Sequence, residues 1–203
     1  MTASILFVSA ALLGTLSFFE PCTIATHTLF SARVHARAWP ECCRGLLLLW
    51  ATRSLLAVVL LLLAVAVSAP PNWGDYLPSA ILTTMATLYI VSRFLYIPVP
   101  HLEFHRLVPG YARLPQAAQL GLTLPACTLP LFVIVLGVTV TLDSYALAVT
   151  GGVLFASLFT LPTAVTVVTG LSAAGQRFLK ASALATPYIT GVLLYGAAAY
   201  LLF

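Results

Sequence analysis

Charge is what this sequence has least of. Among 203 residues nine are Lys or Arg and five are Asp or Glu, so 7% are charged, against roughly a quarter in an ordinary soluble domain. A soluble chain of this length needs a polar surface around its core, and so few charges cannot supply one. A water-soluble globule is excluded. The 61% hydrophobic content also excludes disorder, which requires low hydrophobicity and high charge. The net charge of +4 on so apolar a chain does not argue for a nucleic-acid partner. Strict apolar/polar alternation is lacking as well, in stretches such as Leu55 to Val67, which excludes a membrane β-barrel. Lipid is left as the solvent.

What is there is a set of long runs without Asp, Glu, Lys or Arg: residues 1–19, 54–74, 76–92, 114–142, 144–176 and 181–203. A bilayer-spanning helix needs about 20 mostly apolar residues. The runs predict an all-α polytopic membrane protein of six transmembrane helices near 4–30, 45–68, 77–97, 114–138, 145–170 and 181–203, in a single membrane domain over 1–203. Met1 to Ala10 has no basic start of the secretory type, so the first span is expected to be retained.

Basic residues gather in short cytoplasmic loops. Arg33, Arg37 and Arg44 follow span 1, Arg106 and Arg113 follow span 3, and Arg177 and Lys180 follow span 5, while the connections after spans 2 and 4 hold only Asp75 and Asp143. Arg53 and Arg93 lie toward the ends assigned to the cytoplasm, where long side chains snorkel. Both termini are therefore expected outside. The aromatics Trp39, Trp50, Trp73, Tyr76 and Tyr96 fall near predicted span ends and read as an interfacial belt.

Two segments repeat. Leu16-Ser17-Phe18-Phe19-Glu20-Pro21-Cys22-Thr23-Ile24 lies in span 1 and Gly121-Leu122-Thr123-Leu124-Pro125-Ala126-Cys127-Thr128-Leu129-Pro130 in span 4. Each has a Pro shortly before a Cys-Thr pair and an aliphatic residue. The chain thus reads as 3 + 3, with repeats over 1–97 and 114–203. Three is odd, so the halves insert with opposite orientation, as an inverted repeat. Pro removes a helical hydrogen bond and crowds the preceding turn, so spans 1 and 4 should be kinked or broken there. Each Cys then starts a second half-helix, whose free N–H groups and positive dipole end favour a thiolate. Irregular backbone is tolerated in a membrane only where protein or water surrounds it, which points both cysteines at an internal cavity. Buried cysteines also serve as plain small hydrophobes; the matched pair at equivalent positions favours chemistry.

At these residues the sequence resembles the CcdA family of cytochrome c biogenesis proteins, which is similar to the membrane domain of the reductant conductor DsbD. The resemblance covers nearly the whole chain. It implies a carrier in the cytoplasmic membrane that takes electrons from cytoplasmic thioredoxin and passes them to extracytoplasmic thioredoxin-like proteins. Carried over by position, Cys22 and Cys127 are the redox pair, with Pro21, Pro125 and Pro130 the associated prolines. The sequence departs from the family at Glu20, where a small residue is common, at Ala25, where Pro is common, and at Ala126, which separates Pro125 from Cys127. An intramembrane carboxylate usually faces a cavity, so Glu20 either tunes Cys22 or serves a proton, or is a polar residue in a wet vestibule.

No haem, flavin or iron–sulfur motif is present in the sequence, and thiol–disulfide exchange between the two cysteines suffices without a further cofactor. A disulfide needs Cα atoms within about 7 Å, so spans 1 and 4 should touch. Candidate hinges for alternating access are Pro21, Pro125, Pro130, Gly151, Gly152 and Pro162, with close packing in span 5 the alternative for Gly152 and Pro162. Cys42 and Cys43, in the first cytoplasmic loop, face a reducing compartment and read as ordinary thiols. His101 and His105 lie among Pro98, Pro100 and Pro109, an irregular loop in which no metal site is expected, with Glu103 and Arg106 as ordinary interfacial charges. His27 falls about 140° around a helix from Cys22 and reads as an interfacial histidine. The competing class is a small-solute or soft-metal transporter using the four cysteines as relay ligands, and a membrane scaffold is a third.

Overall fold

Pro21 divides the first apolar segment in two. In the computed structural model, which describes residues 2–67, 83, 84, 87, 91, 102–107, 109–170 and 172–202, helix α1 (Thr2–Phe18) and helix α2 (Pro21–His35) meet at a 71° bend. Glu20 is extended at φ −65°, ψ 137°, and its carbonyl accepts the first bond of α2, from Ile24 N–H at 2.9 Å. Pro21 thus sits in the first turn, where its missing N–H costs nothing.

A short turn leads to α3 (Trp39–Val67), whose N–H groups at Glu41 and Cys42 donate to the Ala38 carbonyl. The helix begins several residues before the predicted 45, because Pro40 suits a first turn. Cys42, Cys43 and Arg44 are therefore helical rather than in a loop. Of the predicted span 77–97 only Thr83, Thr84, Thr87 and Val91 are described, and Trp73, Asp75, Tyr76, Arg93, Tyr96, Pro98, Pro100 and His101 lie outside the described residues.

The predicted fourth span is not one helix. A two-residue strand β1 (Leu102–Glu103) pairs antiparallel with β2 (Thr123–Leu124), and 3-10 turns at Phe104–Leu107 and Tyr111–Arg113 precede a short helix α4 (Gln116–Gly121). Glu103 pairs with Arg106, and His105 Nδ1 lies 3.3 Å from Thr123 Oγ1. Helix resumes only at α5 (Leu129–Leu142). Pro125 and Pro130 explain the gap, since neither can donate to a helix running through them.

Helix α6 (Tyr145–Thr169) agrees with the predicted 145–170 and ends at Gly170, whose φ of 72° suits glycine. Helix α7 (Ala173–Leu202) starts earlier than predicted, so Arg177 and Lys180 stand on its exposed first turns rather than in a loop. Among the described residues α3 and α6 are long and apolar enough to cross a membrane, and the bent α1–α2 pair adds a third such segment when the two are counted as one broken span.

Helix α6 is the centre of the packing, against α1 and α3 above all. One core joins Leu6, Leu13, Leu61, Leu131, Phe155 and Phe159, and a second gathers Phe30, Val34, Cys42, Leu49, Ala117 and Val167. The contacts also give relative directions. Leu6 meets Gly151 and Gly14 meets Phe155, while Ser31 meets Thr166 and His35 meets Val167, so α1 and α2 run in the same sense as α6. Val58 meets Gly152 while Trp50 donates to Ser157 and Arg53 to Thr160, so α3 runs the opposite way.

Candidate functional site

Cys22 and Cys127 form a disulfide with Cα atoms 6.7 Å apart, across 105 residues of sequence. Cys22 is the second residue of α2, directly after the bend. Cys127 lies in the turn before α5, held where Thr128 N–H and Thr128 Oγ1 both donate to the Pro125 carbonyl, at 3.0 and 2.9 Å. Both cysteines are half-buried. Both stand at a helix start, where unpaired N–H groups favour negative charge.

The other predicted site residues divide between two places. Pro21, Pro125 and Pro130 are at the two breaks, with Pro130 in the first turn of α5. Gly151, Gly152 and Pro162 lie in α6, which runs unbroken through them. A Cβ on Gly152 would stand 3.1 Å from the backbone of Val58, so this glycine lets α3 and α6 touch. The packing role is the one this arrangement presents. Cys42 and Cys43 are free; Cys42 is buried in the second apolar core.

Glu20, beside Pro21, is fully buried, and its Oε1 accepts a hydrogen bond from Thr190 Oγ1 on α7 at 2.7 Å. A carboxylate two residues from Cys22 is thereby tied to the last helix.

Two expectations are overturned together. Arg53 does not reach outward as a snorkelling side chain, and His27 is buried inside the protein rather than exposed at its surface. Arg33, Arg37, Arg44, Arg106, Arg113, Arg177 and Lys180 are exposed, but Arg53 is 4% exposed and His27 1%. His27 Nδ1 faces the Thr23 carbonyl at 2.8 Å, so it carries the hydrogen, and Nε2 accepts from Arg53 Nη2 at 2.7 Å. Arg53 Nη1 donates to Thr160 Oγ1 at 3.2 Å, and the guanidinium lies 3.9 Å over the Phe159 ring. Among the described residues no carboxylate pairs with Arg53.

The physical reason lies in where Arg53 falls. It is about four turns from either end of α3 and faces α6 and α2 rather than a helix end, so its stem cannot reach water. The available signal was an arginine eight residues inside a predicted span, since intramembrane ionisable groups are costly and usually functional. Beside Arg53 is a cavity with room for about one water, also lined by Leu124 and Phe132 on either side of Cys127 in the chain.

Along α2 the buried side chains Thr23, His27 and Ser31 are four apart, a single stripe on a helix. Thr160 and Thr163 are buried on the facing α6. Thr23 Oγ1 and Thr163 Oγ1 have no hydrogen-bond partner. A polar seam thus runs from Thr23, next to Cys22 in the chain, to His35, whose Nδ1 meets the Val167 carbonyl at 2.6 Å.

The arrangement presents a half-buried disulfide at the start of α2 and a buried cation bonded to the same helix at His27. Among the described residues no group of three or more His, Cys, Asp or Glu side chains is placed to hold a metal. Comparison with protein-family models, with curated proteins and with solved structures finds no match to this chain.

Proposed function

We propose that this chain is a transmembrane electron carrier. It passes reducing equivalents by thiol–disulfide exchange from cytoplasmic thioredoxin to extracytoplasmic thioredoxin-like proteins, as the resemblance to the CcdA family implies, in support of cytochrome c maturation. The observation that carries the reading is the Cys22–Cys127 disulfide, which joins two helix starts at the two breaks of otherwise apolar segments. A partner thiolate attacks one sulfur, the S–S bond breaks, and the other sulfur leaves with the electron pair. The partner's second thiol then displaces the mixed disulfide, so the partner is oxidised and both cysteines are reduced.

The architecture we propose with it is the six-span 3 + 3 inverted repeat, both termini outside, in the cytoplasmic membrane. The helix directions support it: α1 and α2 run with α6, and α3 against it, as spans 1, 2 and 5 must in an alternating chain. The breaks at Pro21 and Pro125 are the hinges we assign to alternating access.

Trapping tests the function. With Cys127→Ser, Cys22 is expected to form a mixed disulfide with a thioredoxin that lacks its resolving cysteine, visible as a reducible covalent band. If neither this variant nor Cys22→Ser traps thioredoxin, the reading is wrong.

A further inference from the structure

We propose that Arg53 is the positioned cation that stabilises the thiolate released when the Cys22–Cys127 disulfide opens. The inference rests on the electron-carrier reading and assigns a residue to it that the cysteine motifs do not contain.

The argument begins with cost. A guanidinium buried in an apolar interior is strongly unfavourable unless charge or hydrogen bonds compensate it. Among the described residues the compensation is incomplete: a neutral imidazole, one threonine hydroxyl and one aromatic face. A buried cation held by neutral groups keeps most of its field for whatever negative charge appears nearby.

Opening the disulfide creates such a charge. When a dithiol protein attacks one sulfur, a new S–S bond forms to the partner and the other sulfur departs with the bonding pair as a thiolate. The second partner sulfur then attacks the mixed disulfide and releases the first cysteine; of the partner's two protons one comes to rest on one cysteine and the other passes to solvent, so the second cysteine stays as the thiolate that Arg53 stabilises. The balance is one dithiol oxidised and one disulfide reduced.

Arg53 is bonded to the helix that carries Cys22 and shares a cavity wall with the segment that carries Cys127. On one side His27 links it to the Thr23 carbonyl, one residue from Cys22. On the other it lines the cavity whose wall includes Leu124 and Phe132, either side of Cys127. The guanidinium is fixed in advance by Thr160 and Phe159, so it need not reorganise as charge develops. The other ionisable groups near this region are Glu20 before α2, His27 on α2 and His105 against Thr123 on β2.

The experiment uses full-length protein in nanodiscs, with Cys42 and Cys43 replaced by Ser, equilibrated in mixtures of reduced and oxidised dithiothreitol. The reduced fraction of Cys22 and Cys127 is read by mass after alkylation. Arg53→Met is expected to move the equilibrium about tenfold toward the disulfide, about 30 mV for two electrons. It should also slow iodoacetamide alkylation of the reduced protein about tenfold at fixed pH. Arg53→Lys keeps the charge and should stay within about threefold of the parent; Arg53→Gln keeps hydrogen-bonding capacity and should behave as Arg53→Met does.

An unchanged equilibrium in Arg53→Met or Arg53→Gln overturns the proposal, as does a tenfold shift in Arg53→Lys. If the parent traps thioredoxin while these variants leave the couple unmoved, only the role of Arg53 falls. If the parent cysteines do not exchange with thioredoxin, the carrier reading falls with it.

Discussion

Glu20 and Thr190 meet at 2.7 Å where neither is exposed to solvent. A buried hydrogen bond contributes about 0.5–1.5 kcal/mol net, and a buried acceptor that loses its donor costs about 1–3 kcal/mol. Thr190→Val keeps the shape and deletes the donor. It is expected to lower stability by about 1–3 kcal/mol, read as a lower Tm in detergent. Thr186, one turn earlier and equally buried, donates only to the Ser182 carbonyl of its own helix. Such local bonds add little, so Thr186→Val should leave Tm nearly unchanged. Equal losses in both variants would mean that the bond to Glu20 has no special weight. At this scale the sequence was readable in part. The matched Pro–Cys segments pointed to Cys22 and Cys127, which meet in the structure. Arg53 and His27 were misread because a side chain's freedom to reach water depends on which neighbours its helix faces, and one-dimensional hydropathy holds no record of that.

Among the elements, α6 shows how small residues let helices touch. A Cβ on Gly14 would lie 2.6 Å from the Phe155 carbonyl oxygen of α6, so α1 and α6 cannot keep their spacing if one is added. Gly14→Ala should therefore cost about 1–3 kcal/mol, the usual penalty of overpacking. Gly137 on α5 has nothing within 4 Å of its Cβ position. Gly137→Ala should be neutral or stabilising by up to about 1 kcal/mol through helix propensity alone. Paired unfolding curves check both, and a neutral Gly14→Ala would show that α1 is not held closely against α6. Element boundaries were legible where the signal was local. The ends of α6 and the break at Pro21 follow from apolar run length and from the missing proline N–H. The segment before Cys127 was not: the pairing of Leu102 with Leu124 joins residues far apart in sequence, and no periodicity within span 4 announces it.

At the scale of the whole molecule, direction is the quantity that composition and structure approach independently. Basic residues after alternate spans predict that the chain turns in the cytoplasm near Arg37 and near Arg177. The packing puts α1 and α2 in the same sense as α6 with α3 reversed. Thus the α2–α3 turn near Ala38 and the α6–α7 turn near Ser172 lie at one end of the molecule, and the α5–α6 turn near Asp143 at the other. The exposed Arg33, Arg37, Arg44, Arg177 and Lys180 mark the first end. Thioredoxin must approach from that side for the proposed electron flow. Alkaline phosphatase, which is active only outside the cytoplasm, reports the sides when fused to truncated chains. Fusions after Ala38 and after Ser172 should be inactive, and one after Asp143 should be active. The reverse pattern would place Arg37 and Lys180 outside and direct the carrier the wrong way for a cytoplasmic reductant. Equal activity at Ala38 and Asp143 would break the alternation itself, and with it the inverted repeat on which a site reachable from each side in turn depends.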